Sequence, residues 1–150
     1  MRRMTTNYPP GSWGSSSASI DAAQEAAALV VRGAGSSEIY AYLRIIYSIY
    51  REWRHQKNAK QSARRLAEAG HISLRKGTSP IRVLIDATLP GADLKQKSRW
   101  VRALEYASSE GVPTAQFCKF VRTHGGLAGC ARLAAMTYEK RYHPVGYWTD

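Results

Sequence analysis

Between residues 39 and 53 the chain reads IYAYLRIIYSIYREW, and apolar side chains return at intervals of three and four: Ile39, Tyr42, Leu43, Ile46, Ile49, Tyr50 and Trp53. That period winds them onto one side of an α-helix, whereas a strand would need a period of two. A stripe of this kind must be buried, and this one is longer than one short helix covers. Completion by a second subunit or a protein partner is therefore expected, through Ile39, Leu43, Ile46, Tyr50 and Trp53. Tyr40 and Tyr47 fall off the stripe, seven residues apart, and read as core or edge packing in preference to a partner contact.

The remaining elements are also helical. The first helix is expected from Ser19, with Asp21 and Glu25 near its positive end and the Ala-rich run AAQEAAALVV as its body, ending at Gly33. Ser36 or Ser37 is expected to cap the stripe helix. Ser79-Pro80 is a helix start, serine as the cap and proline in the first turn, for IRVLIDATL. Asp93 is placed to cap LKQKSRWVRALEYAS, whose Trp100, Val101, Leu104 and Ala107 point inward while Lys95, Lys97, Arg99 and Arg102 lie off that stripe. Gly111 stops this helix, Pro113-Thr114 starts another with Phe117, Phe120 and Val121 inward, and His124-Gly125-Gly126 turns into a last helix carrying Leu127, Cys130, Ala131 and Ala134. VLID at 83–86 would have no strand to pair with, so the chain is read as all-α. The expected organisation is a tail over 1–18, a long basic and amphipathic helical hairpin over 19–69, a linker over 70–79, a compact helical C-terminal domain over 80–138 and an irregular tail over 139–150.

After Trp53 the apolar pattern stops. RHQKNAKQSARR, residues 54–65, holds five Lys or Arg, one His and no acid. On one continuous helix these charges would spread around the barrel, so the helix either projects into solvent or breaks near Asn58. From Arg51 to Lys76 eight basic residues stand against two acidic ones, a balance of +6 within a chain of net charge +11. Such a concentration favours a polyanionic partner. Arg51, Arg54, Lys57, Lys60, Arg64 and Arg65 are the candidate phosphate contacts, with Arg122, Arg132, Lys140 and Arg141 as a second set.

Catalytic chemistry has little to stand on. Metal-dependent hydrolysis needs converging acids or a His-x-x-x-His pair, and neither occurs. Cys118 and Cys130 sit at apolar helical positions and read as buried thiols. His124, beside two glycines, reads as a solvated turn residue. THGGLAG lacks the lysine of a phosphate-binding loop. No metal, no cofactor, no small-molecule ligand and no enzymatic activity are expected. The basic N-terminus lacks the apolar core of a secretory signal, and no run is long enough to span a membrane, so no membrane partner and a cytoplasmic setting are expected.

Residues 117–133, FCKFVRTHGGLAGCARL, hold a helix, a glycine turn and a second helix in the order of a helix–turn–helix. Through Gly125, Gly126, Ala131, Arg132 and Leu133, with Cys130 where an alanine would stand, this stretch of about twenty residues resembles the C-terminal helix–turn–helix of the Fis-type family. That family continues into a short turn and a recognition helix, whereas this chain continues AAMTYEKRYHP. The resemblance implies that Lys140 and Arg141 stand near the place where DNA is read. The small residues Ala128, Gly129 and Ala131 equally suit close packing of two helices. The sequence therefore points to a small regulatory or accessory protein that binds nucleic acid, DNA in preference to RNA, through a basic helix. The alternative is an adaptor or inhibitor that docks through the Tyr-rich helix and the aromatic tail YHPVGYW.

Overall fold

A computed structural model describes residues 14–33 and 35–142, with the side chains of 18–33 and 35–137. Its elements are α1 (Gly14–Val31), α2 (Ser36–His55), α3 (Ala59–Ala69), α4 (Pro80–Thr88), α5 (Leu94–Ser109), a 3-10 turn (Thr114–Gln116), α6 (Phe117–Thr123) and α7 (Gly126–Tyr142). No strand occurs among the described residues, and VLID lies inside α4, so the chain is all-α. No helix among them is long and apolar enough to cross a membrane.

Local capping sets most of the boundaries. Ser79 Oγ accepts the Ile81 N–H with Pro80 in the first turn of α4, and Asp93 Oδ2 accepts the N–H groups of Lys95 and Gln96 at the start of α5. α5 closes on a Schellman pair, Gly111 N–H to Ser108 O and Val112 N–H to Ala107 O, with Gly111 at φ +71°.

Three boundaries depart from expectation. α1 begins at Gly14 and not Ser19, because extending an established Ala-rich helix costs far less than nucleating one. α2 is capped by Gly35, with no bond from Ser36 or Ser37, which already lie inside the helix. α7 runs on to Tyr142, past the expected end at 138. Glu139, Lys140, Arg141 and Tyr142 tolerate helix, and Pro144 disfavours it only at the residue before itself.

α2 is the central element. α1 packs along it, and α4, α5, α6 and the 3-10 turn pack against other parts of its surface, while α3 lies on α4 and α7 lies along α5. Tyr42, Leu43, Ile46, Tyr47, Ile49 and Trp53 are buried, with Ile39 and Tyr50 partly so. The expected stripe is therefore covered by the chain itself. Leu43 and Ile46 are 0% exposed and Trp53 1%, so they present no surface to a second subunit or adaptor target. Tyr47, off the stripe and read as core or edge packing, is fully buried. Neighbours on several sides widen the buried arc of α2 to about 160°. The Tyr47 ring stacks on Phe117 at 4.7 Å between centroids, and its hydroxyl donates to the Val112 carbonyl at 2.5 Å.

The hairpin and the C-terminal helices share this one core. Tyr42 meets Trp100 edge-on at 6.2 Å. Because Thr88 Oγ1 donates to Leu84 O at 2.8 Å, the Tyr42 hydroxyl donates to Thr88 at 2.6 Å. Burial pushes the Tyr42 pKa far above the ordinary tyrosine range; the Thr88 hydrogen bond opposes that shift and Asp86 adds to it. Lys97, expected off the stripe of α5, is instead buried. Its Nζ reaches Asp86 Oδ1 at 2.8 Å and Pro90 O at 2.9 Å, and Arg82 Nε lies 3.3 Å from the same carboxylate. A buried ammonium is tolerated there because Asp86 of α4 supplies a charge and Pro90, in the turn that follows, a carbonyl.

Candidate nucleic-acid interface

The basic segment breaks, and the break decides where its charges go. α2 ends in a Schellman pair, Lys57 N–H to Arg54 O at 3.0 Å and Asn58 N–H to Trp53 O at 3.1 Å. Lys57 occupies the position usually held by glycine, at φ +61°. α3 then starts at Ala59 in a new direction, its N-terminus carrying no side-chain cap.

The packing of α3 decides where its charges point. Ser62, Ala63 and Ala67 are buried, and α3 packs on α4. Lys60, Arg64 and Arg65 all fall within about 140° of the exposed side, with Glu68 among them. At 100° per residue Arg54, Lys57, Lys60, Arg64 and Arg65 would fall within about 140° even on one continuous helix, so the expected scatter is corrected, and the break sets which way the cationic face of α3 points.

At the corner, Arg54, Lys57, Asn58, Ala59, Lys60 and Gln61 line an open depression of ≈ 370 Å³. Arg54 is held in place: Nη1 donates to Ser108 Oγ of α5 at 3.1 Å, and the guanidinium lies 5.9 Å from the centre of the Tyr50 ring. One turn earlier Arg51, half-buried, lies 5.8 Å from the centre of the Tyr47 ring. Both are i,i+4 pairs, in which an aromatic face restrains a cation. Of the first candidate set, Arg54, Lys57, Lys60, Arg64 and Arg65 are exposed.

Arg122, of the second set, stands apart from the first. Arg122 is exposed on α6 with its guanidinium 5.2 Å from the centre of the Tyr40 ring. Tyr40 is fourteen residues before Arg54 on α2, which puts about 21 Å of helix between them. Arg132 is exposed on α7. Lys140 and Arg141 belong to the backbone of α7, but their side chains lie outside the described ones, as does the tail YHPVGYW from residue 143 onward.

The glycine corner between α6 and α7 is closed. Contrary to the expectation of a solvated turn, His124 is half-buried. Its ring stacks on Phe120 at 4.0 Å and stands edge-on to Tyr106 at 6.3 Å, and Nδ1 lies 2.7 Å from the Phe120 carbonyl oxygen. Gly125 and Gly126 take φ of +88° and +76°. A Cβ at Gly129 would land on the His124 carbonyl oxygen, so the small residue at 129 serves the approach of α7 to the corner. α7 then continues unbroken through Leu133 with no turn before a further helix. Cys130 is buried, which raises its thiol pKa, whereas Cys118 is only half-buried; both are free.

One cationic feature was not anticipated. Leu94, Lys95, Ser98, Arg99 and Arg102 of α5 and Ala131 of α7 line a groove of ≈ 410 Å³. The spacing of 95, 99 and 102, one helix face, was the signal in the sequence. Among the described residues no three of His, Cys, Asp and Glu are grouped to hold a metal ion. No family model, no curated protein and no solved structure matches this chain.

Proposed function

We propose that this protein is a nucleic-acid-binding accessory or regulatory protein that grips the DNA phosphate backbone with the corner between α2 and α3. The observation that carries this reading is the convergence of Arg54, Lys57 and Lys60 on one open depression. A phosphodiester backbone offers acceptor oxygens and negative charge at short intervals, and Lys and Arg side chains meet both needs. The restraint on Arg54 from Ser108 and Tyr50 lowers the conformational entropy lost when it engages a phosphate. Lys60, Arg64 and Arg65 extend the cationic surface along the exposed side of α3. Contacts of this type set position on the duplex and carry no base code, so the reading is one of backbone binding with no cofactor and no catalysed reaction.

The test is fluorescence anisotropy of a labelled duplex over a salt series. Six phosphate contacts give a slope of log affinity against log salt of about −5. The variant R54A/K57A/K60A is expected to lose about three of those units. An unchanged slope in that variant removes the corner as the contact, and no binding by the wild type at low salt removes the reading altogether.

A further inference from the structure

We infer that the groove between α5 and α7 is a second phosphodiester-binding track, built by Lys95, Arg99 and Arg102. This rests on the reading of the protein as a nucleic-acid binder and adds a site on another side of the molecule.

Lys95 and Arg99 are four residues apart, and Arg99 and Arg102 three, so all three project from one face of α5. Each is exposed, none has an ion pair among the described residues, and all line the same groove. Their axial span is about 10 Å, close to the rise of three nucleotide steps along one DNA strand. Asp93 makes no ion pair with these cations among the described residues; its Oδ2 accepts the N–H groups of Lys95 and Gln96. That same occupation means the cationic side chains, and not the end of the helix, make the track. Ser98, between Lys95 and Arg99, adds a neutral hydroxyl to the lining.

The composition of the groove separates a nucleic acid from an acidic protein. Protein–protein contacts bury an apolar centre rich in large side chains. Here the apolar lining is Leu94 and Ala131 alone, beside three cations and a serine. Such a surface suits a partner whose recognised chemistry is repeated charge.

The position also makes the track independent of the α2–α3 corner. Arg54 of that corner is tied to Ser108. Around α5, Ser108 is turned about 120° from Arg102 and about 180° from Arg99. The two cationic sets therefore present to separate stretches of backbone.

The experiment compares four full-length proteins in the duplex anisotropy assay: wild type, K95Q/R99Q/R102Q, R54Q/K57Q/K60Q and the combination. Glutamine keeps helix propensity while removing charge. With the track added to six contacts around the corner, the wild-type salt slope is expected at about −8; each triple variant is expected to lose about three units of it, and the combination about five. Lysine acylation of the wild type, with and without duplex, gives a second readout that needs no variant: Lys95 is expected to be protected by bound DNA. A K95Q/R99Q/R102Q protein with wild-type slope, or a Lys95 acylated equally with and without duplex, overturns the track. In either case a weakened R54Q/K57Q/K60Q leaves the corner standing. The converse, loss in the α5 variant alone, keeps the track and removes the corner. Absence of duplex binding by the wild type removes both. Polyglutamate is the competitor, and if it binds the wild type more tightly than duplex and protects Lys95, the groove takes acidic polypeptide and the inference falls.

Discussion

The α2–α3 and α6–α7 corners each join two helices across two or three residues, and they do so with opposite chemistry. At the first, Lys57 takes a left-handed conformation that glycine would adopt at no steric cost, and Arg54 and Lys60 stand beside it around an open depression. At the second, two glycines supply the positive φ values, and His124 fills the inside of the turn against Phe120 and Tyr106. α5 offers a control within the same molecule. Its C-terminal Schellman pair repeats the hydrogen bonds around Lys57 but has Gly111 at the left-handed position. The backbone motif does not demand lysine. A charged residue at 57 accepts a conformational cost, which fits a position chosen for its side chain, whereas glycine at 111, 125 and 126 fits positions chosen for the path of the chain.

That contrast can be broken at four points. The largest effect is expected for G129A, because the added methyl meets the His124 backbone and neither helix can move aside without disturbing α5. A loss of about 3 kcal/mol is expected in urea unfolding, with the salt slope of DNA binding unchanged. A neutral G129A would mean that the α6–α7 corner is not closed by close approach. Next, R54A/K57A/K60A is expected to weaken duplex binding about thirty-fold, close to 2 kcal/mol, while its melting temperature barely moves. A variant that instead unfolds would make the open corner structural, like its counterpart. H124A removes the stacking on Phe120 and the contact of Nδ1 with the Phe120 carbonyl, and about 1–2 kcal/mol of stability is expected to go with them. Calorimetry gives the answer, and a change in DNA binding without one in stability would transfer function to the glycine corner. The smallest effect is expected for K57G, a gain of about 0.5–1 kcal/mol together with the loss of one unit of salt slope. If K57G is destabilised, the left-handed lysine is held by contacts that outweigh its conformational cost.

The basic segment was legible as a candidate because charge is a property of residues, and the eight basic and two acidic residues over 51–76 survive any folding. Its geometry was not. The spacing of Lys60, Arg64 and Arg65 puts them on one side of any helix, but where that side points depends on the phase at which the helix restarts after Asn58, and that phase follows from the packing of Ala63 and Ala67 onto α4. Lys95, Arg99 and Arg102 were visible as residues off the buried stripe of α5, but their groove exists only because α7 brings Ala131 alongside. The expectation of a partner over Leu43, Ile46 and Trp53 failed for a related reason. An amphipathic stripe states that a surface must be covered, and it is silent on whether the cover comes from the same chain.

By itself the sequence determined what depends on near neighbours along the chain. The three-and-four period set the helical class, Ser79-Pro80 and Asp93 set the starts of α4 and α5, and Gly111 set the end of α5. Each involves residues within one or two turns, so propensity, capping and φ preference suffice. The tertiary structure alone decided the burial of Tyr47 and Lys97, the closing of the α6–α7 corner by His124, and which cations share a depression. The burials of Tyr47 and Lys97 turn on partners distant in sequence: Val112 lies 65 residues from Tyr47, and Asp86 eleven from Lys97. Burial of a polar group is stable only where such a partner arrives, and no local pattern encodes that arrival.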